Sequence, residues 1–392
     1  MILVLNSGSS SVKFKLFNKE LQPICSGLVE RIGTDKSEFH LNFNNDTKNI
    51  KKELANHMQA LDLVINSLVD EKIINSLDEI KVVGHRVVHG GELYNSAVIV
   101  DEEVLNNIYA LKKLSPLHNG ANGDGIKVIT KLLPQATNVA VFDTAFHQTL
   151  APEEYVYPIN YDYYTNNRVR RYGAHGTSHK YIYEVISEKL GTNNFKMINC
   201  HLGAGSSICA IKNGESIATS MGLTPLGGIM MATRCGDIDP SIVSYLQQEL
   251  NVDSKEIDHI LNKESGLLGV SQVSGDIRDV IKASREGNKQ ASLTIDIFVN
   301  RIVDTISSYI NKLEGVDIIT FTAGIGENSS LIRQKVIDKL GVFGLNIDND
   351  LNQNTPNKIN IISKKDAKTR VYVVKLDEEL AIAKEAISLL NS

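Results

Sequence analysis

The strongest constraint on this chain is a pattern that opens it and returns in its second half: an apolar strand, a tight turn of small polar residues, and a second strand. Ile2-Leu3-Val4-Leu5 runs into Asn6-Ser7-Gly8-Ser9-Ser10-Ser11, after which Val12, Phe14 and Leu16 alternate with Lys13 and Lys15. From Lys196 to Ile211 the plan recurs: an apolar run, His201-Leu202-Gly203-Ala204-Gly205-Ser206-Ser207, then Ile208-Cys209-Ala210-Ile211. A glycine/serine turn between strands leaves backbone N–H groups and hydroxyls available to phosphate oxygens. One such turn is ordinary hairpin chemistry. Two of them, with Lys13 directly after the first, point to two related half-domains that close on one nucleotide.

Bulk properties narrow the class further. At 392 residues and 42% hydrophobic content, the chain has room for two domains. A net charge of -5 without any Lys/Arg block argues against a nucleic-acid partner. No apolar run reaches the roughly 18 residues of a membrane span, and the N-terminus lacks the basic and long apolar regions of a signal peptide, so a cytoplasmic protein is expected. Cys25, Cys200, Cys209 and Cys235 show no metal-finger or C-x-x-C spacing and read as buried, reduced thiols. Cys235, beside Arg234, has a neighbouring charge able to lower its pKa.

Along the chain, strands and helices alternate. A third strand is expected at Pro23 to Val29, then a polar, Asn-rich insertion from Asn42 to Asn49, and a helix from about His57 to Val69 with Met58, Leu61, Val64, Ile65 and Leu68 at helical spacing. Further expectations are a strand at Lys81 to Val83, a helix from Asp101 to Leu114 capped by Asp101, and a strand at Asn138 to Phe142. Pro152 to Gly173 is rich in tyrosine and poor in periodicity, and reads as a crossover. The second half adds the turn Asn213-Gly214, a helix with Asp239 as cap and Pro240 in its first turn, and a long helix from Gln290 to Leu313. A strand at Asp317 to Thr322, a third glycine loop at Ala323 to Asn328, a strand at Arg370 to Leu376 and a helix from about Asp377 complete it. This alternation predicts an α/β fold of two similar lobes.

Chemistry-bearing residues fall just after predicted strands, where site loops of α/β proteins lie: Arg86, Asp143, His175 and Arg234, with glycine or serine nearby for all but Asp143. Cations around an equatorial phosphoryl group, a carboxylate nearby and loops that fix a nucleotide are the inventory of phosphoryl transfer. Guanidinium groups suit it because they hold carboxylates and phosphates through paired hydrogen bonds. His175 and His179 have the spacing of a helical metal pair, but Gly176 and the lack of a Glu after His175 argue against one.

Taken together, these motifs resemble the acetate kinase (acetokinase) family of the sugar-kinase, Hsp70 and actin-like ATPase superfamily. The resemblance rests on Leu5 to Lys13, Gly84 to Glu92, Phe142 to His147, Arg171 to His179, His201 to Ser207, Met231 to Pro240 and Thr322 to Asn328, in order along the whole chain. It implies a duplicated ribonuclease H-like fold with the active site in the cleft between lobes. The N-terminal lobe would span residues 1–149, completed by a C-terminal helix at about 379–392, and the nucleotide-binding lobe residues 150–378. It implies reversible in-line transfer between ATP and acetate, giving ADP and acetyl phosphate, with Mg2+ or alternatively Mn2+, in a homodimer.

The same resemblance assigns roles. Asn6 and Glu378 would serve the metal; Arg86 and Arg234 would hold the acetate carboxylate and the migrating phosphoryl group. His175 would stabilise the transition state, and Asp143 would orient or activate the acceptor. Nucleotide contacts would come from Lys13, from His201, Leu202, Gly203, Ala204 and Gly205, from Asp276, Ile277 and Arg278, and from Ala323, Gly324, Ile325, Gly326 and Glu327. The implied pattern has Phe before His175. Ala174 stands there instead, with Val88, Leu117 and Pro225 as the remaining acyl walls, which predicts a roomier pocket and turnover of propionate. A propionate or butyrate kinase is the neighbouring alternative. A nonenzymatic ATPase switch of the same superfamily should lack the Arg86, His175 and Arg234 set, and a sugar-responsive transcription factor would need a DNA-binding extension.

Overall fold

Side-chain alternation builds the first hairpin. β1 (Ile2–Ser7) is buried along nearly its whole length, whereas β2 (Val12–Phe17) buries Phe14 and Leu16 and exposes Lys13. A strand apolar on both faces is covered on both, whereas alternation leaves one face of a strand toward solvent. The computed structural model describes residues 1–44, 46–116 and 118–391. They divide into two units, Met1–Phe146 with Asp377–Ser392, and His147–Leu376.

In the first unit, β3 (Pro23–Glu30), β4 (Glu38–Phe43), β5 (Asp46–Lys51), β6 (Val82–Val87), β7 (Val98–Ile99) and β8 (Thr137–Phe142) join the hairpin in the order β5-β4-β3-β2-β1-β6-β8-β7. The meander β1-β2-β3 is antiparallel, and β6 and β8 lie parallel to β1. Parallel neighbours need crossovers, here supplied by the helices His57–Asp70 and Asn119–Leu132. One sheet face packs Leu3, Leu5, Phe14 and Leu16 with Leu61, Val64 and Leu68 of helix His57–Asp70. The other packs Ile2, Val4 and Val139 with Ile382 and Ala386 of the terminal helix Glu378–Asn391. That helix comes so close that a β-carbon on Gly84 would stand 2.9 Å from Ile382 Cγ2.

The second unit repeats the plan with β9 (Lys196–Leu202), β10 (Ser206–Lys212), β11 (Glu215–Thr219), β12 (Ile318–Thr322), β13 (Ile359–Ile361) and β14 (Arg370–Val374) in the order β11-β10-β9-β12-β14-β13. Again the first three strands form an antiparallel meander and the next two run parallel to its first. Ile295, Phe298, Val299, Ile302 and Ile306 of helix Lys289–Lys312 fill its main core. The duplicated α/β plan expected from the sequence is therefore the observed one.

Local differences have physical causes. The described residues of the Asn-rich stretch expected as an insertion from Asn42 to Asn49 belong to the paired strands β4 and β5, with Asn42 opposite Thr47 and Phe43 opposite Asp46. Phe39 and Leu41 anchor β4 in the core while β5 is an exposed edge strand, so its polar composition hides the pairing. The helix capped by Asp101 stops at Ala110 and tightens into a 3-10 turn at Leu111–Lys113. Two short helices, Pro152–Tyr155 and Asp162–Asn167, interrupt the tyrosine-rich crossover. Pro240 immediately precedes the helix Ser241–Leu250, whose Ser241 N–H donates to Asp239 Oδ1. The third glycine loop is a short helix, Ala323–Asn328.

Candidate active site

In the first unit the functional side chains gather at the C-terminal ends of β1, β6 and β8. Arg86 pairs across from Val141 in the parallel register, so Asp143, just past β8, lies within its reach. Arg86 Nε and Nη2 both donate to Asp143 Oδ2, at 3.0 and 2.6 Å. Burial works against the Arg86 charge, but Asp143, Glu378 and Glu379 outweigh it, and its pKa sits above the ordinary arginine value. Val88 follows on the same loop, buried, its N–H donating to Asn122 Oδ1 at 3.1 Å. Asn122 Nδ2 donates in turn to the Ser7 carbonyl at 2.8 Å, tying the first small-residue turn to the Arg86 loop. Leu117, expected as another wall, lies outside the described residues.

Asn6 sits near the end of β1, opposite Lys13 in the hairpin register. Lys13 does not stand alone: its Nζ is 2.6 Å from Glu379 Oε1, and Lys15 donates to both oxygens of Asp377 at 2.9 Å. Glu378, between those two acids, has its pKa raised by burial, with Asp143 and Glu379 adding to the shift and Arg86 and Lys13 opposing it. A divalent cation would relieve exactly such a crowd of acids. Among the described residues no three His, Cys, Asp or Glu side chains form a ready metal cluster. One carboxylate and one amide fit a Mg2+ ion, which keeps its remaining positions for water and substrate phosphates.

The second unit is organised differently, around histidines. His175 has a left-handed backbone (φ +56) at the start of helix Gly176–Leu190. Its ring stacks on His201, centroids 4.1 Å apart, and its Nδ1 is 2.8 Å from Ser207 Oγ. The same hydroxyl lies 2.8 Å from His179 Nε2. His179 Nδ1 is 2.8 Å from Asn199 Nδ2, and Thr320 Oγ1 is 2.7 Å from Asn199 Oδ1. His201 is held through its Nδ1 by Ser178 Oγ at 2.8 Å. Burial, and then His147 and His201, keep the pKa of His179 well below the usual histidine value.

Gly205 brings the second turn against this cluster. A β-carbon there would lie 3.4 Å from His175 Nε2 and 3.5 Å from Arg234 Nη1, so the ring edge and the guanidinium tip flank one point. Arg234 Nη1 donates to the Pro225 carbonyl at 3.2 Å and contacts Met231 Sδ at 3.7 Å. Among the described residues no carboxylate lies within ion-pair distance of it, and burial alone lowers its pKa. Burial also raises the pKa of Cys235 beside it, so that thiol is not activated.

A cavity of about 780 Å³ in the same unit collects Gly203, Ala204, Asp276, Ile277, Arg278, Gly324 and Ile325, within the volume range of small-molecule sites. Asn328 of the third glycine loop, with Gly275, Ile281, Arg285, Ser329, Ser330 and Leu331, completes its lining, and those six had no sequence signal beyond their neighbours. His201, Leu202, Gly205, Ala323, Gly326 and Glu327 are not among its lining residues. Leu202 is a core residue. Gly326 packs against Phe321. Glu327 Oε1 accepts from the N–H groups of Ala323 (2.9 Å) and Leu376 (3.0 Å), holding the left-handed Ala323 (φ +63) in place. Buried Arg333 spends its donors on the Gly326 and Glu327 carbonyls and on Asn352. Arg278 is exposed and forked onto Asp276.

The acetokinase family model matches residues 1–384 of the chain. The acetate kinase of Halothermothrix orenii is 46% identical over 397 residues, covering 100% of both chains. Among solved structures, Porphyromonas gingivalis acetate kinase superposes with a TM-score of 0.95 at 39% identity over 99% of each chain. A propionate kinase from Francisella tularensis superposes with a TM-score of 0.93 at 40% identity, again over 99% of each.

Proposed function

The chain belongs to the acetokinase family, and from that membership we propose that it transfers a phosphoryl group reversibly between ATP and acetate, giving ADP and acetyl phosphate. The observation that carries this reading is Arg234: a largely buried guanidinium with no carboxylate partner among the described residues, beside His175 and the Gly203–Gly205 turn. A desolvated cation kept unpaired is a receptor for an anion, and a transferring phosphoryl group is such an anion.

Acetate is already ionised at pH 7, because carboxyl pKa values lie at about 4. No strong base is needed, so neutralisation and positioning carry the reaction. Arg86 has given Nε and Nη2 to Asp143, which leaves Nη1 for the acetate carboxylate and makes Asp143 the group that orients it. Arg234 takes the migrating phosphoryl group, and His175 donates to its oxygens. Val88 and Pro225 would wall the methyl group. The nucleotide occupies the cavity over Gly203, Ala204, Asp276–Arg278, Gly324 and Ile325, with the other residues of those loops holding its shape. Asn6 and Glu378 would hold Mg2+, or Mn2+ in its place, which when bound neutralises charge on the terminal phosphates. The enzyme works as a cytoplasmic homodimer.

Ala174 favours a second substrate. It is buried with Met221 and Met231, and thioether side chains adapt to cavities of different size. One extra methylene is worth only about 1–3 kcal/mol of discrimination. The test is acyl phosphate formation, trapped as the hydroxamate, with Mg-ATP and acetate, propionate or butyrate in parallel. Acetate should turn over, with propionate close behind. Propionate far ahead of acetate would reassign the substrate, and ATP hydrolysis without acyl phosphate would make the protein an ATPase switch.

A further inference from the structure

We propose that Ser207 is a positioning residue that holds His175 in one tautomer, with Nδ1 as acceptor and the proton on Nε2. The inference rests on the reading that His175 donates to the transferring phosphoryl group, and it follows from the order of donors behind the ring. Thr320 is fully buried, and Asn199 Oδ1 is the only side-chain partner of its hydroxyl among the described residues. An unmade buried donor is costly, so the Thr320 hydroxyl donates to Asn199 Oδ1. That bond fixes the amide, turning Asn199 Nδ2–H toward His179 Nδ1.

His179 Nδ1 is therefore an acceptor, and the neutral ring carries its proton on Nε2. Burial keeps that ring neutral. His179 Nε2–H donates to Ser207 Oγ, whose own proton is then directed at His175 Nδ1. With Nδ1 accepting, neutral His175 must hold its proton on Nε2, the edge that flanks Gly205 with Arg234 Nη1. The other tautomer would present a lone pair there and repel a phosphoryl oxygen. Parallel register supplies the chain: Thr320 and Asn199 are direct partners across β12 and β9, and Ser207 stands on β10 beside them.

The experiment is long-range 1H–15N correlation of the 15N-histidine-labelled full chain, with kinetics, in the wild type and in the Ser207→Ala and Ser207→Thr variants. The wild-type ring of His175 should show Nδ1 unprotonated and Nε2 protonated. Ser207→Ala should mix the tautomers and lower kcat about tenfold or more, on the scale of other supporting-shell losses, while the KM values for acid and ATP stay within about twofold. Ser207→Thr, which keeps the hydroxyl, should restore both signals. A wild-type Nδ1–H tautomer, or an Ser207→Ala protein with unchanged tautomer and kcat, overturns the proposal. If the tautomer is as stated but His175→Ala leaves kcat intact, the role of His175 fails while the hydrogen-bond order stands.

Discussion

The two units share one five-strand plan and solve the burial of polar groups in opposite ways. In the first, charges are set in pairs of opposite sign, Arg86 with Asp143, Glu379 with Lys13 and Asp377 with Lys15, while burial raises the pKa of Glu378 among them. In the second, the corresponding region is a string of hydrogen-bonded polar groups, His175, Ser207, His179, Asn199 and Thr320, next to Arg234, which has no counter-charge among the described residues. Duplication conserves strand order because order is set by connection rules. It leaves electrostatics free, because the side chains at strand ends do not hold the sheet together. A paired cation is committed, whereas an unpaired, desolvated one stores attraction for a ligand at a cost to the empty fold.

The largest effect expected of this contrast is at Arg234. Arg234→Met keeps volume and removes charge. It should lower kcat by about 10²–10³, as loss of a transition-state donor does, with the KM for ATP little changed. Thermal stability should hold or rise, because no buried counter-charge is orphaned and only the bond to the Pro225 carbonyl and the contact with Met231 Sδ are lost. Steady-state kinetics and calorimetry on the same sample decide it. An effect confined to the KM for ATP would move Arg234 to the nucleotide.

Arg86→Met should behave in the reverse sense. It leaves the buried Asp143 carboxylate uncompensated, which costs about 3 kcal/mol or more. Adding Asp143→Leu should recover most of that stability while activity stays lost. A double-mutant cycle in urea reads the coupling. If Arg86→Met were as stable as the wild type, the pairing would be incidental and the contrast between the units would collapse.

Much of this was legible in the sequence, for definite reasons. Strand–turn–strand patterns and alternating side chains locate both opening hairpins because the signal is local. Arg86, Asp143, His175 and Arg234 stood out as polar residues at the ends of predicted strands or in glycine-containing loops. The β4-β5 hairpin was hidden by an edge strand whose exposed positions are Asn, Lys and Thr. Ser207, Asn199 and Thr320 were hidden for another reason: they come from three strands and meet only through register. Nor does sequence reveal which cations are already engaged. Lys13 and Arg278 read as nucleotide contacts, and in the fold each is paired to an acid.

Histidine burial is the one device both units share, and it gives the smallest effect. In the first unit, burial lowers the pKa of His85 to about 4, with its bond to Asn138 Oδ1 opposing the shift. In the second, burial holds His179 far below 6.5. Both rings are neutral when folded and take up a proton near pH 6.5 when unfolded. The unfolded chain therefore binds more protons below that pH. The stability each ring contributes is complete above about pH 6.5 and is lost as pH falls toward the folded value, at up to about 1.4 kcal/mol per pH unit per histidine. Because the chain has two units, hydrogen exchange read separately in β6 and β9 is the right observable. Between pH 7 and 5.5, opening should grow easier in both strands, and His85→Gln should flatten the dependence in β6 alone. A response to His85→Gln in β9 as well would mean that the two units unfold as one, and their electrostatic difference would then be a difference of chemistry without a difference of stability.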